Sequence, residues 1–389
     1  MRTPAVRSSS SPRARRALTA LTVLLGLAGC EAAAPAAAPP AACDRAVAVF
    51  GPLSGDSADL GGNIRSGAAL AFAEYNQRHP DCQARLLDFD SQADPKQAPA
   101  LAQRVVSDPR IVGVIGPAFS GESEAAGPLL AQGGVPILTT SATRTNLSQR
   151  GWATFHRLLG NDASQGPAAA RYIDAVLGGR KVFVIDDGGA YGQGLADEVA
   201  ATLSGRVVQR GVVAPRQLDF SAVVSQIRSA GADVVFYGGY YSGAGTLLRA
   251  MRRAGVGAVF VAGDGVKDAG FIRAAGVEAA EGAIITCACL PPERASGGFP
   301  ERYRAAYGRD AATYSAEAYD AATILLSGLE AGHTDRDALE RWVDAYAAAG
   351  VTGRVQFTPQ GELVDGAVVV WAYRVHDGAV TTDQQIPKP

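Results

Sequence analysis

The chain has 389 residues, of which 47% are hydrophobic and 19% are charged, and its formal net charge at pH 7 is −2. This length favours two domains, and the absence of a basic cluster beyond the N-terminal segment argues against nucleic acid as a partner. No metal site is predicted, because the histidines are scattered and lack the spacing of metal ligands: His79, His156, His333 and His376.

Residues 1–29 have the order of a secretory signal peptide, with a basic start, a short apolar run and small residues. The apolar run, residues 17–29, is too short to span a membrane, which needs about 20 residues. Cys30 follows Leu27-Ala28-Gly29, which resembles the lipobox of bacterial lipoproteins. That resemblance implies lipidation of Cys30, whereas the alternative is an ordinary cleaved signal followed by a chance cysteine.

After Glu31, the next residues up to position 42 are only alanine and proline, so they have no apolar periodicity from which to build a core. In an extended polyproline-like state such a segment reaches roughly 35–40 Å. We therefore predict that residues 30–42 form a lipidated tether. The protein is expected to be exported and held at the outer, periplasmic side of the cytoplasmic membrane, which it contacts only through the lipid.

The remaining cysteines form an even set, as is usual in an exported chain. Cys43 and Cys82 each precede an apolar strand pattern, and a disulfide is reasonable if those strands are parallel neighbours. Cys287 and Cys289 form either a tight disulfide loop or two reduced thiols, and export favours the disulfide. Zinc is discounted because too few further ligands stand nearby.

Strand and helix patterns alternate from Cys43 onward. The strands are predicted at 45–50, 84–89, 111–115, 135–138, 181–185, 207–213, 233–237 and 258–262. The intervening helices are predicted at 60–78, 95–107, from 122, 163–177, 192–203, 221–229 and 245–254. The pattern then changes to helices at 299–307, 314–330 and 336–349, followed by strands at 355–357 and 367–375.

This alternation predicts an α/β fold in which helices cover both faces of parallel sheets. So many strands would overfill one sheet, so we expect two doubly wound lobes. The change of pattern near the C-terminus suggests that the chain revisits both lobes. We assign residues 43–158 and 287–353 to lobe 1, and residues 159–286 and 354–386 to lobe 2.

An internal similarity supports two lobes. Residues 114–121 and 236–243 both run from a strand through glycine and a short loop to an aromatic residue, Ser-Gly and a helix. Each is the carboxyl end of a strand, where ligands bind in such sheets. The two segments are therefore candidates for opposite walls of one cleft.

Signatures of enzymes and cofactor sites are missing from the sequence. It has no Walker loop, no Gly-x-Ser-x-Gly elbow, no His-Glu-x-x-His and no Gly-x-Gly-x-x-Gly after a strand. We predict a binding protein without an enzymatic activity or a cofactor.

Several motifs resemble leucine/isoleucine/valine-binding proteins, which are substrate-binding proteins of ABC importers. They are Asp-Pro-Lys-Gln-Ala (94–98), Val-Ile-Gly-Pro (114–117), Ser-Gln-Arg-Gly (148–151), Ser-Gln-Gly-Pro (164–167), Tyr-Gly-x-Gly (191–194) and Tyr-Gly-Gly-Tyr-Tyr (237–241). The resemblance runs in order through nearly the whole folded part. It implies the type I periplasmic-binding fold, in which two lobes joined by a three-strand hinge close on the ligand.

The resemblance also implies the polar contacts of an amino-acid ligand. Ser120 is placed to bind the α-carboxylate, and a helix start suits an anion, although a plain N-cap serine is the alternative. Ala142 would offer its carbonyl to the ammonium, and Thr143 would contact both charged ends. Asp264 would pair with the ammonium, because a carboxylate in a closed cleft needs a charged partner; a solvated turn aspartate is the alternative.

The resemblance places Tyr191, Tyr240 and Tyr314 in the pocket wall, where tyrosine offers both apolar surface and a hydroxyl. Leu60 stands where close relatives have tryptophan, which predicts a roomier or differently shaped pocket. A branched-chain-like amino acid delivered by a monomer to an ABC permease is the favoured function. Small amides and aromatic acids are alternative ligands, a ligand sensor is an alternative role, and an enzyme on an α/β scaffold is the remaining class.

Overall fold

A computed structural model describes residues 42–214 and 216–387 of the chain. The predicted signal peptide and the predicted lipidation site Cys30 lie outside these residues. Within the described ranges, no helix is both long enough and apolar enough to cross a membrane.

The first lobe is built on a five-stranded sheet in which every neighbouring pair is parallel. Its strands are β1 (Ala46–Gly51), β2 (Arg85–Asp90), β3 (Ile111–Ile115), β4 (Ile137–Thr139) and β5 (Phe155–Arg157). Their spatial order is β2-β1-β3-β4-β5, which leaves β2 and β5 at the edges. All residues of β1 and β3 are buried, as expected for parallel strands covered on both faces.

The second lobe is built on a seven-stranded sheet. Its strands are β6 (Val182–Asp186), β7 (Val207–Val212), β8 (Val234–Gly238), β9 (Val259–Ala262), β10 (Ile284–Cys287), β13 (Val370–His376) and β14 (Ala379–Ile386). In the order β14-β13-β10-β9-β8-β6-β7, the strands from β10 to β7 are parallel, whereas β13 and β14 add an antiparallel hairpin. Strands β5, β10 and β14 were not predicted.

Helices connect and cover the strands. They are α1 (Ala58–Arg78), α2 (Ala98–Ser107), α3 (Ser120–Gln132), α4 (Asp162–Ala175), α5 (Ala190–Thr202), α6 (Ser221–Ala230), α7 (Tyr241–Arg253), α8 (Ala269–Ala275), α9 (Val277–Ala280), α10 (Phe299–Tyr307), α11 (Ser315–Glu330) and α12 (Arg336–Asp344). The two doubly wound lobes confirm the predicted fold class.

One predicted helix ends early. The alanine-rich sequence after α12 predicted helix to residue 349, but β11 (Ala347–Gly350) pairs there with β12 (Gly353–Gln356) as an antiparallel ribbon. The Asp320 carboxylate of α11 accepts the backbone N–H groups of Val351 and Thr352 at 2.8 and 2.9 Å. This tertiary contact holds the turn and overrides the helix propensity of alanine.

The chain passes between the lobes three times. Crossing 1 (158–161) joins β5 to α4, crossing 2 (288–298) joins β10 to α10, and crossing 3 (357–369) joins β12 to β13. Backbone hydrogen bonds tie them together, since Gly160 donates to Ala288 and Arg157 donates to Gly361. The predicted lobe boundaries, 43–158 and 287–353 for lobe 1 and 159–286 and 354–386 for lobe 2, stay a prediction.

Arg157 holds the first and third crossings together. Its guanidinium is fully buried and binds the Glu362 carboxylate through two N–H groups at 3.0 and 2.6 Å. The Nη1 atom of Arg157 donates to the carbonyls of Ala142 and Arg144 at 2.7 and 3.0 Å. A buried guanidinium is thus paired and hydrogen-bonded, which is the condition for its burial.

The structure contains disulfides between Cys43 and Cys82 and between Cys287 and Cys289. The first links the segments just before β1 and β2, which are parallel neighbours, the condition on which the sequence analysis made this bridge reasonable. The second lies where β10 ends and crossing 2 begins.

Candidate functional site

The predicted site residues gather where strands of both sheets end. Ser120 begins α3 after β3, and Asp264 lies two positions after the end of β9. Tyr240 stands between β8 and α7, and Tyr191 lies in the first turn of α5 after β6. Carboxyl ends of parallel strands share one edge of a sheet, so loops from the two lobes face each other across one cleft.

Asp264 is buried and held by two side-chain hydrogen bonds. Its side chain is 1% exposed, and its two carboxylate oxygens accept hydrogen bonds from the hydroxyls of Tyr191 and Tyr314 at 2.7 and 2.5 Å. Burial raises the pKa of the Asp264 carboxyl, and the two tyrosine hydroxyls offset part of that rise. A solvated turn aspartate is therefore the wrong description of this residue.

The tyrosines are fixed by the same network. Burial raises the pKa of Tyr191 and Tyr314 well above the ordinary value, so both hydroxyls stay protonated and act as donors. The Tyr191 hydroxyl also accepts the Gly265 backbone N–H at 3.0 Å. Tyr314 has a positive φ of 69°, a conformation that costs a non-glycine residue about 1–2 kcal/mol. Such strain concentrates at functional sites.

Tyr240 connects the two lobes. Its ring stacks on Phe119, with the centroids 4.1 Å apart, and lies 5.2 Å from the ring of Tyr191. Phe119 immediately precedes Ser120, so this contact brings the start of α3 in the first lobe against the aromatic wall of the second. An aromatic pair at this distance is worth about 0.5–1.5 kcal/mol beyond its buried area.

Ser120 is 1% exposed, and its hydroxyl accepts the backbone N–H of Arg144 at 3.2 Å. It is the first residue of α3 rather than its N-cap, which is Phe119. Glu122 performs the capping instead, because its carboxylate accepts the Phe119 N–H at 3.0 Å and the Ser91 hydroxyl at 2.5 Å. The first N–H groups of a helix have no partner within it, so the start of α3 is suited to an anion.

The loop after β4 is only partly free to meet a ligand. The Ala142 carbonyl accepts the Arg157 guanidinium at 2.7 Å, and the predicted contact with an ammonium would have to use its second lone pair. The buried hydroxyls of Thr140 and Thr143 have no hydrogen-bond partner among the described residues. Buried polar atoms without partners are costly, which makes both hydroxyls candidates for ligand contacts.

Asp162 was missed by the sequence analysis. It is the first residue of α4, its side chain is 1% exposed, and neither carboxylate oxygen has a hydrogen-bond partner among the described residues. Its backbone N–H donates to the Thr143 carbonyl at 2.8 Å, and the Thr143 hydroxyl lies close enough to the carboxylate to lower its pKa. Burial raises the pKa of Asp162 to about 7, and the negative charge of Asp264 contributes to the rise.

The signal for Asp162 was available nearby, since it lies two positions before the Ser-Gln-Gly-Pro motif. Gln165 of that motif is buried and donates to the Thr286 carbonyl at 2.9 Å, which fastens α4 to β10. The motif therefore positions the end of crossing 1.

Leu60 is fully buried near the start of α1, and it belongs to the hydrophobic core that includes Phe119 and Tyr314. The structure thus brings Tyr191, Tyr240, Asp264 and Tyr314 together and joins them through Phe119 to the start of α3. Their roles toward a ligand stay a prediction.

A model of the periplasmic binding protein family matches residues 46–379. The chain belongs to the periplasmic binding protein family. The predicted relationship is therefore confirmed at the level of the family.

Two curated relatives of this family resemble the chain over most of their length. The Leu/Ile/Val-binding protein BraC3 of Rhizobium johnstonii is 32% identical, over 85% of this chain and 89% of the relative. The leucine-, isoleucine-, valine-, threonine- and alanine-binding protein of Pseudomonas aeruginosa is 29% identical, over 87% and 91%.

Among solved structures, the leucine-binding protein LivK of Thermotoga maritima superposes with a TM-score of 0.81 at 26% identity, covering 88% of this chain and 98% of that one. These periplasmic binding proteins are named for binding amino acids and not for catalysis. This agrees with the prediction that the chain is not an enzyme.

Proposed function

We propose that this protein is an exported, lipid-anchored binding protein that encloses a branched-chain-like aliphatic amino acid between its lobes and delivers it to an ABC importer. The observation that carries the proposal is the buried Asp264 carboxylate, held by the hydroxyls of Tyr191 and Tyr314. The Tyr191 ring lies beside Tyr240, which stacks on Phe119 at the start of α3. Two poles of opposite sign suit a zwitterion, with the ammonium at Asp264 and the carboxylate at Ser120.

The charge of the cleft favours an amino acid over an aromatic acid. Asp162 and Asp264 are both buried, and each carboxylate raises the cost of ionising its neighbour. A ligand with an ammonium group would relieve that repulsion. A benzoate-like ligand would bring a further negative charge without any cation. The names of the curated relatives, which bind leucine, isoleucine and valine, support the same choice.

Delivery to a permease follows from the two-lobed design. A ligand that contacts both lobes shifts the population toward the closed form, which a membrane partner can distinguish from the open form. A sensor would use the same change of shape. Uptake of the ligand by cells that lack this chain would separate the two roles, because only a transport role makes uptake depend on it.

The ligand is tested by a thermal-shift screen of the purified protein against amino acids, amides and aromatic acids. We expect the largest increase in Tm with leucine, isoleucine or valine. A screen in which only ligands without an amine raise the Tm would refute the amino-acid assignment while leaving the family unchanged.

The anchor is tested with Cys30→Ser. We expect this variant to leave the membrane fraction, with the unchanged chain as the control that keeps Cys30. Full retention of the Cys30→Ser protein in the membrane would contradict lipidation.

A further inference from the structure

One group of ionisable side chains lies outside the cleft and is not used by the proposed function. His156 stands on β5, an edge strand of the first sheet, and Glu340 and Asp344 stand on α12. One ligand atom from each of the three residues lies within 4.8 Å of the others. His156 is at least 184 positions away from the two acids in the sequence, so sequence spacing could not have revealed the group.

The distances from His156 to the two acids lie within a few tenths of an ångström of those between ligands of one zinc ion. Nε2 of His156 lies 3.0 Å from Asp344 Oδ1 and 3.8 Å from Glu340 Oε1. Ligands about 2.0–2.2 Å from a tetrahedral zinc ion are separated from one another by roughly 3.3–3.6 Å. Glu340 and Asp344 are one helical turn apart, so their side chains leave the same face of α12.

The group also contains buried acceptor atoms that lack hydrogen-bond partners among the described residues. Both carboxylate oxygens of Glu340 are buried and have no hydrogen-bond partner among the described residues, and the Glu340 side chain is 13% exposed. A buried acceptor without a partner and a like-charged pair on one helix face are both unfavourable.

His156 is suited to present a lone pair to a cation. Its side chain is 1% exposed, and its ring packs edge-on against Phe357, with the centroids 4.8 Å apart. Nδ1 has no partner among the described residues, and Nε2 lies at hydrogen-bond distance, 3.0 Å, from Asp344 Oδ1, so a bound cation would take the place of the proton between them. The ring position is fixed by packing while Nε2 faces the two carboxylates.

We propose that His156, Glu340 and Asp344 bind a divalent transition-metal ion of the zinc type, with water at the remaining position. Imidazole favours zinc over magnesium and calcium, which prefer sets of six or more oxygen ligands. The bound ion would fasten α12 to the edge strand β5. That strand leads directly into crossing 1 through Arg157, so the ion would stiffen the first lobe beside the hinge.

The test is calorimetric titration of the purified protein with Zn²⁺, using protein without a histidine tag and with Cys30→Ser, so that no added imidazole or free thiol competes. We expect one ion per chain and a rise in Tm of roughly 2–4 °C or more at saturating zinc. Mg²⁺ and Ca²⁺ at the same concentration should leave the Tm unchanged. A chain that binds no zinc, or that responds equally to Mg²⁺, would overturn the proposal.

Variants locate the ion. Asp344→Asn changes a side chain that is 60% exposed, so it should fold normally and weaken zinc binding at least about 10-fold, and Glu340→Gln should do the same. His376→Gln is the matched control, because His376 also lies between two acids, Glu281 and Asp377, but on the surface. Zinc binding that survives both α12 substitutions, or that is lost in His376→Gln instead, would show that the ion sits elsewhere.

Discussion

Replacing Asp264 by alanine removes the negative pole of the cleft. The lost group is 1% exposed and receives two hydroxyl hydrogen bonds, so a ligand ammonium beside it is shielded from water. Truncating one partner of a buried charged contact costs about 2–5 kcal/mol, which is roughly 30- to 4000-fold in affinity. We therefore expect Asp264→Ala to weaken binding of the best amino acid by that factor.

Part of the cost falls on the protein itself. The hydroxyls of Tyr191 and Tyr314 lose their acceptor in Asp264→Ala, and each buried group left without a partner costs about 1–3 kcal/mol. Asp264→Asn keeps the shape and one acceptor oxygen while removing the charge. A loss of affinity common to both variants is then due to the charge, whereas a loss confined to alanine is due to packing and the stranded hydroxyls.

The assay is calorimetric titration of parent and variants with the ligand selected in the thermal-shift screen. Asp320→Asn is the matched control, because Asp320 is also a buried aspartate, 2% exposed, but it binds the backbone of the ribbon. It should lose stability and keep its affinity. If Asp264→Ala binds an amine-bearing ligand within about twofold of the parent, Asp264 does not contact the ammonium.

Three further predictions use the same protein. Burial raises the pKa of Asp162 to about 7, so its carboxyl ionises as the pH rises through that value. The affinity for an amino acid should therefore rise between pH 6 and 8, and Asp162→Asn should remove most of this dependence of affinity on pH. Glu362→Ala strands the buried Arg157 charge and should lower the free energy of unfolding in urea by about 3–5 kcal/mol; a loss below 1 kcal/mol would refute this role. The loop closed between Cys43 and Cys82 spans 39 positions, so replacing both by alanine should cost about 4 kcal/mol, and an unchanged urea midpoint would argue against the bridge.

The apolar pattern of the sequence predicted a strand or helix correctly where that element depends only on its own residues. The fully apolar strands β3 and β8 were predicted at nearly their observed bounds, because parallel strands buried on both faces are apolar at every position. The hairpin strand β14 was missed because its residues are mostly exposed and polar, so it has no apolar pattern. The early end of α12 was missed because Asp320, which holds the following turn, comes from another helix.

The candidate site divides in the same way. Ser120 and Asp264 could be chosen from the sequence, since each follows a recognisable strand and resembles a family motif. The hydrogen bonds from Tyr191 and Tyr314 to Asp264 could not be predicted, because the two tyrosines lie 73 and 50 positions away from Asp264 in the sequence. The Ala142 carbonyl was expected to be free, and only the folded chain brings Arg157 to it.

By itself, the sequence determined most of the order of strands and helices, the two-lobed α/β class and the family. These properties depend on short-range periodicity and on motifs whose residues are close together in the chain. Tertiary structure alone decided which buried charges have partners: Arg157 with Glu362, Asp264 with two tyrosines, and Asp162 and Glu340 without any among the described residues. The reason is physical, because burial and pairing of a charge depend on neighbours that folding brings from distant parts of the chain.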